Sequence, residues 1–150
     1  MRLAIGGDHA GFPLKGPLIR ALESAGHQVR DFGASNSEPV DFPDIARLVG
    51  GSVLSGESER GIMVCGTGVG ACIAANKIAG IRAALCHDLY SAHQSVEHDD
   101  VNVLCLGAQI VGELMAREIV RTFLDARFST AEEFRRRLAK LAELDRVRTV

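Results

Sequence analysis

Cys65 ends the apolar run "GIMVC" and opens the stretch "CGTGVG", in which Gly66, Gly68 and Gly70 alternate with Thr67 and Val69. Backbone N–H groups converging in a glycine turn at a helix start collect negative charge, and glycine lets a ligand approach the backbone closely. The same dipoles favour a thiolate over a thiol. A thiolate facing an anion cradle suits removal of a proton beside a carbonyl, with the turn holding the enediolate that develops. Each part also has a plainer reading. Glycine turns close strands onto helices, a free cysteine is commonly a small buried hydrophobe, and Thr67 is either a partner for thiol or substrate or only a turn residue.

Two further stretches carry polar groups of the right type. "GGDHAG" (6–11) puts Asp8 and His9 directly after the first apolar run, where an aspartate is also a common helix cap. "EHDDVN" (97–102) puts His98 ahead of the last apolar run, where it can move protons between substrate oxygens or simply face solvent. His87 and His93 read as solvent-facing, His27 as a turn residue, and Cys72, Cys86 and Cys105 as buried thiols. The sequence has no cluster with metal-ligand spacing. No metal or other cofactor is therefore expected, and the developing charge falls to backbone dipoles.

The elements around these residues decide whether they can meet. Apolar runs at 2–5, 28–32, 61–65, 81–86 and 102–107 read as strands. Helical spacing covers 13–26, 43–55, 70–79, about 89–97, 112–126 and 130–146. "GIMVC" is apolar almost throughout, as a strand covered on both faces must be. This alternation predicts an α/β fold: a three-layer, doubly wound, Rossmann-like parallel sheet of five strands with an extra C-terminal helix. The expected strand order is 2-1-3-4-5, which gathers "GGDHAG" and "CGTGVG" at the switch point between the first and third strands. A dinucleotide fold competes, because "GTGVGA" opens a helix and Asp88 follows the next strand. Against it, the chain leaves no room for a second substrate domain, the turn follows the third strand, and the first loop carries Asp-His.

Composition narrows the partners. The 150 residues, 47% hydrophobic and 24% charged, suit one domain over 1–150 with a sizeable core. A net charge of −2 supplies no general attraction to nucleic acid or to an anionic membrane. The one dense basic run, "RRRLAK" (135–140), reads as a solvated helix face. No apolar run approaches the roughly 18 residues of a membrane span, and the N-terminus reaches glycine and charge too soon for a signal peptide. Cysteines without CxxC spacing point to free thiols in a reducing cytoplasm.

Taken in order, "GGDHAG", "VDFPD", "GIMVCGTGVGACIAANKIAGIRAAL", "YSA", "HDDVNVL" and "IVGELMA" resemble the ribose-5-phosphate isomerase B and galactose-6-phosphate isomerase family over nearly the whole chain. The resemblance implies a metal-independent aldose–ketose isomerase acting through an enediol, with sites shared between the subunits of a homodimer or a dimer of dimers. It implies Cys65 as the base between C1 and C2, Thr67 assisting, and His98 of the second subunit opening the sugar ring. Asp8 and His9 would contact the substrate, and Gly66, Gly68, Val69 and Gly70 would supply amides. Asp99, Gln109, Arg136 and Arg137 fall at further substrate-binding positions. The sequence departs from the family pattern at several of these places. Phe42 replaces a tyrosine, Asp99 an asparagine, Gln109 an arginine, and Glu132 or Glu133 the first arginine of a C-terminal pair whose second member aligns with Arg136 or Arg137. The phosphate clamp is thus short of two cations, although charge-assisted arginine contacts are a strong hold on phosphate. Ribose 5-phosphate to ribulose 5-phosphate is the expected reaction. The alternatives are the same chemistry on galactose 6-phosphate, allose 6-phosphate, a tetrose phosphate or a free aldose, or a non-catalytic subunit of a two-subunit isomerase.

Overall fold

A computed structural model describes residues 1–147. Strands and helices alternate as β1 (Arg2–Gly7), α1 (Phe12–Ser24), β2 (Gln28–Asp31), α2 (Phe42–Leu54), β3 (Arg60–Cys65), α3 (Val69–Ala75), β4 (Ala83–Leu85), α4 (Leu89–Asp99), β5 (Val103–Gly107), α5 (Glu113–Asp125) and α6 (Glu132–Val147). Every strand pairing is parallel. Prolines in the first turns of α1 and α2 start those helices where a missing N–H costs nothing.

Strand alternation divides the core in two. Leu3, Ile5, Ile62, Val64, Leu104 and Leu106 face α1, α4 and α5, meeting Leu14, Leu18, Val96, Ile119 and the fully buried Phe123. Ala4, Met63, Val103 and Cys105 face the other way, against Ile45 and Val49 of α2 and Ala71 and Ala75 of α3. Neighbouring residues point to opposite faces, so a continuous apolar run serves both layers.

The sheet order is β2-β1-β3-β5-β4, which corrects the expected 2-1-3-4-5 at its far end. All five residues of β5 are buried, whereas β4 has three residues and an exposed Leu85. The longer strand, apolar on both faces, takes the interior, and the short one takes the edge. The consequence is functional. The carboxyl end of β5, not that of β4, lies beside the carboxyl end of β3, with Cys65 paired to Gly107.

Helix α3 is also shorter than the expected 70–79, stopping at Ala75. Asn76 then acts as a bridge to the edge strand, its Oδ1 accepting from Ala83 N at 2.9 Å and its Nδ2 donating to Ala83 O at 2.8 Å. A side-chain amide that imitates a strand neighbour ends the helix and anchors β4.

Candidate active site

The switch point between β1 and β3 brings the two polar loops together. Gly7 pairs with Val64, so the next residue on each strand, Asp8 and Cys65, emerges at the same edge. Cys65 Sγ donates to Asp8 Oδ2 at 3.0 Å, while Gly11 N donates to Asp8 Oδ1 at 2.8 Å. Both carboxylate oxygens are thus engaged on a side chain that is itself buried. Gly11 makes this closure possible, because a Cβ there would overlap the Val64 carbonyl.

Gly68, with φ +81°, turns the chain from β3 into α3. The amides of Gly66 and Gly68 point at the Cys65 sulfur and lower its pKa, as the sequence suggests. They do not prevail. Burial pushes the thiol up, and the hydrogen bond to and charge of Asp8 push it further, so the thiol is held above its ordinary value. The expectation of a favoured thiolate is therefore corrected: a thiol whose proton already points at a carboxylate occupies the site.

Other residues complete this edge. The loop after β5 folds back across the turn, with Ala108 N donating to Cys65 O at 2.8 Å and Gln109 N to Gly66 O at 3.0 Å. The Gln109 amide oxygen stands 3.2 Å from where a Cβ of Gly66 would be, so this side chain covers the turn. Thr67 Oγ1 accepts from Val69 N at 3.4 Å, a hydrogen bond within the turn. His9 Nδ1 accepts from Val40 N at 3.3 Å, which ties the 33–41 loop to the site. The Phe42 ring lies against Gly70, a Cβ on that glycine coming within 2.9 Å of Phe42 Cζ.

His87, expected to face solvent, is instead a half-buried member of this edge. Its Nε2 accepts from Gly107 N at 2.9 Å, on the residue paired with Cys65. Its position after a strand, where ligands of such sheets bind, is the signal that could have found it. Cys72 also differs from its expected state. It is only half-buried, and hydrogen bonds from the Cys105 and Asn76 side chains bring its pKa down to about 7. Cys86 and Cys105 are buried, as read, and burial raises Cys86 to about 11.

His98, Asp99, Arg136 and Arg137 do not join Cys65 in the chain. Helix α4 runs back from the carboxyl end of β4 to the amino end of β5, so its last turn lies at the opposite sheet edge, on the order of 15–20 Å away for strands of this length. There His98 stacks on Phe134 of α6, and Arg137 lies 5.6 Å from the centre of the same ring. Asp99 lines a wide groove between α6 and the β4 edge together with Arg82 and Arg135, and Arg136 is exposed. One chain therefore carries two separated polar clusters: a thiol, carboxylate and amide cradle at one edge, and a histidine with arginines at the other.

A model of the Ribose/Galactose Isomerase family matches residues 3–141. The chain is 46% identical over 127 residues to ribose-5-phosphate isomerase B of Escherichia coli (strain K12), covering 85% of each. It is 40% identical over 130 residues to D-erythrulose-4-phosphate isomerase of Pectobacterium atrosepticum, again covering 85% of each. Among solved structures, ribose-5-phosphate isomerase B of Clostridium thermocellum superposes with a TM-score of 0.95 at 44% identity, over 97% of this chain and 98% of that one.

Proposed function

The chain belongs to the ribose/galactose isomerase family and is a sugar-phosphate aldose–ketose isomerase, and from that premise we propose that it interconverts ribose 5-phosphate and ribulose 5-phosphate through an enediolate, without a metal. The observation that carries the mechanism is the 3.0 Å hydrogen bond from the Cys65 thiol to Asp8. Transfer of that proton to Asp8 leaves a thiolate at the mouth of the glycine turn. The thiolate takes the proton from C2 of the open-chain aldose, the C–H electron pair forms the C1–C2 double bond, and the aldehyde oxygen becomes the enediolate oxygen. Amides of Gly66, Gly68, Val69 and Gly70 stabilise that charge where it develops. Return of the proton to C1, with the O2 proton passing to O1, gives the ketose.

The second cluster belongs, in this reading, to a partner copy of the chain. His98 would open the cyclic aldose, with Arg136, Arg137 and Asp99 beside it to hold phosphate and hydroxyls. Support comes from the surface around Cys65. Val69, Ile73, Leu85, Leu89, Tyr90, Ile110, Leu114 and Met115 are exposed on α3, on β4, and at the starts of α4 and α5. Apolar surface of this extent is typical of an interaction face.

A tetrose 4-phosphate is the second reading. Gln109 and Glu132 or Glu133 occupy positions where the family pattern has arginines, and a relative covering the same length carries the name D-erythrulose-4-phosphate isomerase. The deciding experiment is a side-by-side assay of the purified chain on ribose 5-phosphate, erythrose 4-phosphate, galactose 6-phosphate, allose 6-phosphate and free ribose, with and without chelator. A higher kcat/KM for ribose 5-phosphate than for the others, unaffected by chelator, is expected. Preference for the tetrose would transfer the assignment, and no activity on any of them would make the chain a non-catalytic subunit.

A further inference from the structure

His98 is framed by two residues that lie outside the site motifs. Its Nδ1 is 2.8 Å from Gln94 Nε2, one turn earlier on α4. Its ring lies on Phe134 with centroids 4.2 Å apart and planes 18° from parallel. Nε2 is left 3.8 Å from Glu97 Oε2, beyond hydrogen-bond reach, and the side chain is 31% exposed. One ring nitrogen is tied, one face is covered, and the other nitrogen is open.

We propose that Gln94 and Phe134 are positioning residues that hold the His98 imidazole with Nε2 presented to the ring oxygens of a cyclic aldose phosphate. The proposal rests on the ring-opening reading of His98 given above. In that step Nε2 takes the proton of the anomeric hydroxyl, and the O–H pair becomes the C1–O1 double bond. The C1–ring oxygen bond breaks, and the ring oxygen receives the proton back from Nε2–H. The histidine ends as it began, so a single nitrogen must reach both oxygens in turn and the ring must not tilt between the transfers.

Each framing contact fits that demand. The step starts from a bare Nε2 and therefore from a proton on Nδ1. The Gln94 amide serves either tautomer: its nitrogen donates to a bare Nδ1, as in the structure, and after a half-turn its oxygen accepts from Nδ1–H. A carboxylate or carbonyl at that place would hold only the second form. The Phe134 face, stacked on the imidazole, restrains its tilt. Phe134 sits in the first turns of α6, so the C-terminal helix would aim a side chain that belongs to α4.

The test compares a cyclic substrate with an open-chain one. Ribose 5-phosphate closes to a furanose, whereas erythrose 4-phosphate, its O4 phosphorylated, does not. Gln94→Leu and Phe134→Ala are expected to lower kcat for ribose 5-phosphate by roughly ten- to a hundredfold, the scale of a displaced catalytic group, with KM little changed and erythrose 4-phosphate turned over near the wild-type rate. Phe134→Tyr keeps the stack and should keep the rate. Equal losses on both substrates, or none on ribose 5-phosphate, overturn the proposal. His98→Asn separates the two levels. If it turns over ribose 5-phosphate normally, the ring-opening reading fails; if it alone is impaired, only the positioning roles fail. Nitrogen-15 spectra of the histidine rings, with His98 assigned by its loss in His98→Asn, give a readout free of substrate. Gln94→Leu must move the His98 Nδ1 signal, and an unmoved signal overturns the proposal.

Discussion

A thiol held above its ordinary pKa by burial and by Asp8 makes thiolate-dependent catalysis rise with pH. The thiolate fraction grows as pH climbs, and a raised pKa moves that growth beyond the usual thiol range near about 8.5. The kcat/KM profile should therefore still be rising at the alkaline end of the stable range. Asp8→Asn removes a charge that opposes the thiolate, so Cys65 should titrate at lower pH and react faster with iodoacetamide at fixed pH, as read by peptide mass mapping. At neutral pH turnover should fall all the same, because the remaining thiol has lost its proposed proton acceptor, and it should recover as rising pH forms the thiolate directly; a variant with faster alkylation and unchanged kcat at neutral pH would remove Asp8 from the mechanism. Cys72, whose pKa its hydrogen bonds bring down to about 7, provides the contrast. Cys65→Ala should nearly abolish isomerisation with the fold intact, whereas Cys72→Ala should retain it; equal losses in a steady-state assay would make the Cys65 thiol structural. Gln109→Arg should improve ribose 5-phosphate use mainly through KM, by about tenfold or more if one charged hydrogen bond of roughly 1.5–3 kcal/mol is gained. An unchanged KM in that variant would mean that Gln109 does not face the phosphate.

At the scale of elements, the cradle depends on how β3 turns into α3. Gly68 holds a left-handed φ of +81°, and a Cβ there would stand 2.6 Å from Leu85 Cδ1 and 2.9 Å from the Leu106 carbonyl carbon. Gly68→Ala carries the backbone cost, about 1–2 kcal/mol for an L-residue in that region, and must also push on backbone that cannot yield. Urea unfolding should show a loss of at least that size, together with a fall in kcat, because the same amide faces Cys65. A Gly68→Ala protein of wild-type stability would mean the turn has another conformation. The β4 edge strand has a similar dependence on Asn76, whose amide replaces strand hydrogen bonds at Ala83.

At the scale of the molecule, the two clusters lie at opposite sheet edges, so one copy of the chain does not assemble the proposed machinery. Mixing Cys65→Ala with His98→Asn after subunit exchange should restore activity to about a quarter of the wild-type sites, since half of randomly re-formed dimers are hybrids with one intact site each. No recovery, with exchange verified by native mass spectrometry, would count against a shared site. Among the described residues no helix is long and apolar enough to cross a membrane; exposed apolar side chains include Val69, Leu89, Ile110 and Leu114, which follow the carboxyl ends of the strands, and Leu48, Leu54, Leu141 and Leu144 on α2 and α6.

By itself the sequence determined the alternation of strands and helices, the apolar β3, and the meeting of "GGDHAG" with "CGTGVG". These follow from local periodicity and from the rule that parallel strands present their carboxyl-end loops together. The separation of His98 from Cys65 was also implicit, because the helix that carries His98 must run antiparallel to the strands. Only the tertiary structure decided that β5 and not β4 flanks β3, because that choice depends on which strand can be buried on both faces. That swap brings Gln109 over Gly66 and sets Gly107, to which His87 is bonded, beside Cys65. The direction of the Cys65 shift was likewise beyond sequence reasoning. Turn amides are visible as glycines, but the burial and the carboxylate that outweigh them are set by how closely Asp8 approaches, a distance fixed by packing Gly11 against Val64.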